Sequence, residues 1–266
     1  MEIIGYCAAI FIGLSFGLIG SGGSILTMPI LVYLFGMQPT LATSYSLFIV
    51  GMTCLTGAIQ KYRHGFVNIK TSLLFGVVSV STVVTTRKFI VPAIPDEITT
   101  IGSLHFTKGL LTMVLLAALM LLSSISMIRD GYKRNPQTIE NVKSVNYFVL
   151  FSCALGIGLV TGLFGIGGGF LLIPTLVLIA GIPMKHAIGT SLTIITLNTL
   201  IGIAGDWGQF HLDWILLAKL TSIAIAGVFI GHEIGKKVHG DKLKTGFGWF
   251  VLILSIYIIA KELLFK

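Results

Sequence analysis

The sequence GLIGSGGSILTMPILVYLFG at residues 17–36 decides the fold of this chain, because GLFGIGGGFLLIPTLVLIAG follows at residues 162–181. A shift of 145 residues aligns 9–57 with 154–202 without a gap, and 20 of these 49 pairs are identical. The chain therefore consists of two related halves. Each half places glycines, which are poor helix formers, inside an apolar stretch.

The rest of the chain is apolar and poor in charge. Charged residues make up 11% of it, against roughly 25% in a soluble domain, and no acid occurs between Glu2 and Asp96 or between Glu140 and Asp206. Most apolar segments approach the ~20 residues that span a bilayer. They lie at 3–19, 25–36, 42–60, 66–90, 106–128, 145–165, 170–181, 187–205, 213–235 and 246–261. We predict an all-α polytopic membrane protein of about eight to ten membrane helices. Lipid offers no hydrogen-bond partners, and a helix pairs its own backbone N–H and C=O groups.

Loop charge predicts how the halves are oriented. We expect a first membrane repeat at 1–128, a basic cytoplasmic linker at 129–144 and a second repeat at 145–266. Lys and Arg in short loops favour the cytoplasm, which places 61–65 and 236–244 inside and 91–105 and 206–213 outside. This requires that each short segment return to the side where the segment before it began. The two repeats are therefore predicted to have inverted topology, each with a glycine-rich break before a half-helix.

Matching breaks in inverted repeats indicate a transporter site near the middle of the membrane. Pro29 and Pro174 lie near the start of the half-helices, whose first amides are left unpaired, and helix N-termini attract anions. Hydroxyl and amide side chains follow each break. We predict that a small anion is bound by Gly20, Ser21, Gly22, Gly23, Ser24, Ser44, Ser46, Gly165, Gly167, Gly168, Gly169, Thr190, Ser191 and Asn198. The alternative is that the glycines only permit close helix packing.

Other functions find little support in the sequence. The net charge of +8 comes from short loops, so we expect no nucleic-acid partner. GIGGGF lacks the strand and the acid of a dinucleotide site, and no motif ends in the Gly-Lys-Ser/Thr of a P-loop. The three cysteines lack metal-ligand spacing, so no metal and no cofactor is expected. Acids and histidines are too sparse in the segments for catalytic residues, and we expect no enzyme.

A few ionisable residues fall within the apolar segments. Arg87, Lys88, His232 and Glu233 lie near segment ends, where such side chains reach the interface or pair there. Glu233 is a candidate for proton coupling. These residues are not included in the predicted anion site.

The two motifs, with AIGTSL at 187–192, resemble the paired signature of the sulfite exporter TauE/SafE family of membrane permeases. The resemblance covers nearly the whole chain. It implies transport of sulfite, or of related sulfur oxyanions and organosulfonates, across the bacterial cytoplasmic membrane. The first copy departs from the pattern, with Ser24 in place of Gly169 and ATSYSL at 42–47 in place of AIGTSL.

We therefore expect a multi-pass secondary transporter of the cell membrane that moves a small sulfur-containing anion by alternating access. Its partners would be that anion and the lipid bilayer, and the sequence leaves a homodimer open. A passive anion channel, a membrane enzyme and a non-transporting partner subunit are the alternatives. The identity of the anion, the direction of transport and the coupling ion are not determined by the sequence.

Overall fold

The computed structural model describes residues 2–95, 97–101, 104–132, 147–206, 212–235 and 240–264. The first half contains α1 (Glu2–Ile19), a 3-10 turn (Ser21–Leu26), α2 (Thr27–Tyr33), α3 (Pro39–Arg63), α4 (Ile69–Thr85), a π-helical turn (Thr86–Ile90), α5 (Val91–Ala93), β1 (Glu97–Ile101), β2 (Leu104–Thr107) and α6 (Lys108–Tyr132). The second half contains α7 (Tyr147–Phe164), α8 (Gly169–Leu178), α9 (Met184–Gly202), a 3-10 turn (Ile203–Asp206), α10 (Trp214–Gly235) and α11 (Gly240–Leu264).

The outer surface of this bundle is apolar. Six helices in the described part of the chain are long and apolar enough to cross a membrane. Large apolar side chains face outward from them, including Leu122, Ile215 and Ile253, each more than 60% exposed. Apolar surface on this scale requires lipid. The prediction of a polytopic helical membrane protein is confirmed, with a small antiparallel hairpin, β1 with β2, in the predicted 91–105 loop.

The helices repeat with the period found in the sequence. α7, α9 and α10 begin 145 residues after α1, α3 and α4, respectively. Even the caps match, because the Asn68 side chain accepts from the amide of Thr71, and the equivalent Asp213 accepts from the amides of Ile215 and Leu216. Residues 133–144 of the predicted linker at 129–144 lie outside the described residues.

The packing of α3 on α9 gives the relation between the halves. Gly51 of α3 contacts Thr199 and Leu200, whereas Gly57, further along α3, contacts the earlier residue Leu192. These two equivalent helices are therefore antiparallel. The halves are inverted, and α3 and α9 end on opposite sides of the molecule, which we call the Lys61 end and the Asp206 end.

The glycine-broken pairs return to the side on which they start. Gly5 at the beginning of α1 packs against the Phe35 ring, just after α2. α3 then starts at the Asp206 end, where its residue Ser44 bonds Asp206. α1 and α2 thus form a hairpin that enters from the Asp206 end and turns back inside the protein. The same argument, applied through the repeat, makes α7 and α8 a hairpin that enters from the Lys61 end.

The core joins the two halves. One buried cluster contains Ile25, Leu26 and Met28 from the first half together with Ile166 and Leu217 from the second. Neither repeat buries its apolar residues alone. The hairpins are therefore held in the centre by helices of both repeats.

Candidate functional site

Both glycine breaks contain backbone that favours glycine. Gly20 has φ of 78°, and Gly165, Gly167 and Gly168 have φ of 68°, 70° and 64°. Side chains with a Cβ are disfavoured in this left-handed region. The first break continues as a 3-10 turn, whereas the second leads directly into α8. Glycine is thus required by the chain reversal itself.

The breaks begin near opposite ends and meet in the middle. A Cβ on Gly20 would lie 3.0 Å from Ile188, four residues into α9, whereas a Cβ on Gly165 would overlap the carbonyl of Thr43, four residues into α3. Gly20 and Gly165 therefore do not face each other. The segments after them do meet, because the 3-10 turn at Ser21–Leu26 contacts α8.

One predicted residue lies at the centre of the bundle. A Cβ on Gly167 would lie 2.7 Å from Ile195 and 3.0 Å from Val50, which are close to the midpoints of α9 and α3. Gly168 packs against Thr161 at the end of α7, and Gly23 packs against Ser15 and Phe16 of α1. The second break thus reaches the middle of the molecule, against both central helices.

Most of the predicted hydroxyls already have protein partners. Ser46 donates to the Gly165 carbonyl at 2.8 Å, and Ser44 donates to Asp206 at 2.6 Å. Ser191 donates to the carbonyl of Ile188 in its own helix, and Thr190 accepts from the amide of Asn68. Ser46 thus bonds the second break, whereas Ser44 and Thr190 bond groups at the Asp206 end and the Lys61 end, respectively. The structure does not bring these predicted hydroxyls together around one point.

Three buried donors near this region have no hydrogen-bond partner among the described residues. They are the Asn198 amide Nδ2, the Thr27 hydroxyl at the start of α2 and the Thr161 hydroxyl beside Gly168. Asn198 accepts from Ser79 through its Oδ1 at 2.8 Å, so its amide nitrogen is the unused group. Sequence reasoning included Asn198 but missed Thr27 and Thr161. Unpaired buried donors are costly unless a ligand or water meets them.

The Asp206 end contains a buried ion pair that sequence reasoning missed. The Arg87 Nη2 lies 3.4 Å from the Asp206 Oδ2, and the two side chains are 1% and 3% exposed. Arg87 also donates through Nη1 to the Thr43 hydroxyl at 3.0 Å. Arg87 was expected at the interface because it lies near a segment end. Instead it is buried, because Gly205 leaves room beside its Cβ.

The Lys61 end contains a half-open cavity of about 90 Å³. Its wall includes Gly20 from the first break, Gln60 and Lys61 from α3, and His232 from α10. One water needs about 10–15 Å³ of such space. The cavity therefore has room for several waters or for one small oxyanion.

The two ends occupy equivalent positions in the two repeats. A shift of 145 residues takes Lys61 to Asp206, and takes His232 back to Arg87. The same shift takes Gly20 in the cavity wall to Gly165, which is packed against Thr43. This extension of the repeat was the sequence signal that could have identified Arg87 and Asp206.

Comparison with known proteins agrees with this architecture. The sequence profile of the family described as Sulfite exporter TauE/SafE matches residues 6–258. The chain is 24% identical to the probable membrane transporter protein YunE of Bacillus subtilis, over 94% of this chain and 92% of that protein. It is 29% identical to a probable membrane transporter protein of Xylella fastidiosa, over 93% and 91%.

A further relative is the probable membrane transporter protein YjnA of Bacillus subtilis, 30% identical over 94% of this chain and 96% of the relative. No solved structure matches the chain. The family profile covers nearly the whole length, and these relatives align with it from end to end. The chain, with its two inverted repeats and glycine-broken hairpins, therefore belongs to the TauE/SafE family of membrane transporters.

Proposed function

We propose that this membrane transporter is a secondary carrier that moves a small sulfur-containing anion, such as sulfite or an organosulfonate, across the cytoplasmic membrane by alternating access. The name of the matched family, Sulfite exporter TauE/SafE, refers to sulfite export. The observation that carries the proposal is that three buried donors lack a partner among the described residues: the Thr161 hydroxyl beside Gly168, the Thr27 hydroxyl at the start of α2 and the Asn198 amide on α9. Buried side-chain donors attract an anion without the cost of placing a bare cation in lipid.

The inverted repeats also favour a carrier over a passive channel. An inverted pair can open to one side and close to the other by exchanging the conformations of its halves. Here equivalent positions are closed at the Asp206 end and line a cavity at the Lys61 end. The proposal therefore includes alternating access, with the structure open at the Lys61 end, which the loop charges predict to be cytoplasmic.

Flux measurements in proteoliposomes test the carrier. We expect sulfite uptake that saturates with concentration and is accelerated by sulfite on the opposite side, with thiosulfate, sulfate and small sulfonates compared as competitors. A flux that rises linearly without exchange would indicate the channel instead. Absence of flux for every anion would contradict the proposal.

Variants of the unpartnered donors test the site. Thr161→Val and Asn198→Leu should lower the flux about ten- to a hundredfold, since a hydrogen bond to a charged group contributes about 1.5–3 kcal/mol. Thr196→Val is the matched control, because the Thr196 hydroxyl donates to the Leu192 carbonyl within its own helix. Equal fluxes for Thr161→Val and Thr196→Val would contradict the assignment.

A further inference from the structure

The two ends of the molecule differ in charge although the repeat makes them equivalent. At the Asp206 end a base and an acid face each other, Arg87 and Asp206. At the Lys61 end the corresponding residues are His232 and Lys61, both basic. The repeat thus preserves the positions and changes the sign of one charge.

The Asp206 end is closed by direct packing. Thr43 lies against Gly165, Val83 lies against Gly202, and Arg87 lies against Gly205. The ion pair lies among these contacts, and Ser44 donates to its carboxylate at 2.6 Å. At this end the carboxylate of Asp206 therefore supplies the negative charge that pairs with Arg87.

The described wall of the cavity at the Lys61 end includes no equivalent of Asp206. No carboxylate belongs to the described residues that line the cavity, and Lys61 makes no ion pair in the described part of the chain. Glu233 follows His232 on α10 but is exposed and is not part of the wall. Closing this end as the other is closed would bury the Lys61 ammonium beside His232 with no carboxylate among the described lining residues to pair with it, and an unpaired buried charge is costly.

We propose that the cavity at the Lys61 end is a binding site for a small oxyanion, which lies between Lys61 and His232 and replaces the carboxylate that Asp206 provides at the opposite end. This inference rests on the proposed function and specifies its entry site. Gln60 supplies a further amide donor in the wall. The Lys61 end then closes only around an anion, whereas the Asp206 end closes without one. The empty protein consequently rests open at the Lys61 end.

Anion affinity of Lys61 variants tests the site. Sulfite and sulfate are titrated against the purified full chain at constant ionic strength, with chloride as the reference salt. Lys61→Gln should weaken binding about tenfold or more, since a charge-assisted hydrogen bond is lost. Lys61→Arg should keep the affinity within about threefold because the charge remains. Lys70→Gln controls for general charge, since Lys70 is exposed at the start of α4.

The outcomes separate this inference from the proposed function. If the unmodified chain binds neither sulfite nor sulfate, the inference fails, and the proposed function fails with it when small sulfonates do not bind either. If it binds them and Lys61→Gln binds equally well, the inference alone fails. His232→Gln is the second variant, with an expected loss of affinity, should Lys61→Gln prove unstable in thermal unfolding.

A charge exchange tests the closure itself. Lys61→Asp gives position 61 the same residue type as its equivalent position, 206. The new carboxylate should pair with His232 without any bound anion. A cysteine at Leu192 in the cavity wall, in a chain without other cysteines, reports access to a thiol reagent. We expect labelling at least about fivefold slower in Lys61→Asp than in Lys70→Asp. Equal labelling rates would overturn the proposed closure.

Discussion

At the scale of single residues, the buried Arg87 and Asp206 are incompletely satisfied. The Arg87 Nε and the Asp206 Oδ1 have no hydrogen-bond partner in the described part of the chain. A buried ion pair with unmet hydrogen bonds contributes little to stability, because desolvation offsets the attraction. The ion pair then favours one specific arrangement of the helices, here the closed Asp206 end.

A double-mutant cycle tests this view of the pair. Asp206→Asn should lower the free energy of unfolding by up to about 3–5 kcal/mol, since it leaves the Arg87 charge buried and unpaired. Arg87→Met combined with Asp206→Leu should recover most of that loss, because no charge remains to be desolvated. Unfolding in mixed detergent micelles measures both. A double variant as unstable as the single one would contradict this view.

Position 165 requires glycine for two separate reasons. It needs positive φ, and it has no space for a Cβ beside the Thr43 carbonyl. Gly36 has φ of 64° with nothing within 4 Å of a Cβ, so it is the matched control. Gly36→Ala should cost about 1–2 kcal/mol of strain, and Gly165→Ala about 1–3 kcal/mol more because of the overlap. Equal losses in thermal unfolding would show that the contact is unimportant.

At the scale of elements, α1 and α10 pack closely through glycines. Gly13 and Gly17 of α1 contact the backbone of α10, and Gly227 and Gly231 of α10 contact the backbone of α1. Each pair has the small-xxx-small spacing that allows membrane helices to approach. The alternative use of glycine, close helix packing, is therefore present within the helices, and at the breaks it occurs together with positive φ, as at Gly165.

The α1–α10 contact predicts a position-specific effect of alanine. Gly13→Ala should destabilise the protein by about 1–3 kcal/mol, since its Cβ would overlap the Ala224 carbonyl and separate the helices. Gly156→Ala in α7 is the control, because nothing lies within 4 Å of its Cβ. That change should be neutral or stabilising by about 0.5–1 kcal/mol through helix propensity. Thermal unfolding compares the two, and equal effects would argue against close packing.

At the scale of the whole molecule, the repeat predicts a second conformation with the ends exchanged. Leu47 and Leu192 are equivalent buried residues, but Leu192 is 5% exposed and lines the cavity, whereas Leu47 is 0% exposed. Breaking the ion pair should therefore open the Asp206 end and expose Leu47. A leucine side chain makes no hydrogen bond, so cysteines at these two positions report access without removing a hydrogen bond of the ion pair.

Thiol labelling from the two sides of the membrane measures this exchange. In a chain without other cysteines, Leu192→Cys should react from the Lys61 side and Leu47→Cys should react slowly. Adding Asp206→Asn should raise the labelling rate of Leu47→Cys from the opposite side about tenfold or more, since the charge of Asp206 no longer holds Arg87 in the closed arrangement. An unchanged rate would contradict a gating role for Arg87 and Asp206.

The sequence by itself determined the membrane class, the two halves, the break positions and the inverted relation, because apolar length, residue identity and loop charge are local properties of the chain. It did not determine the partners of Ser44, Ser46 and Asn198, since each bonds a residue 119 or more positions away. Only the tertiary structure showed that Arg87 is buried and that the equivalent ends are closed and open. The physical reason is that the burial and pairing of a side chain depend on which helices pack together. Here those helices come from different repeats, so neither repeat alone contains the contact.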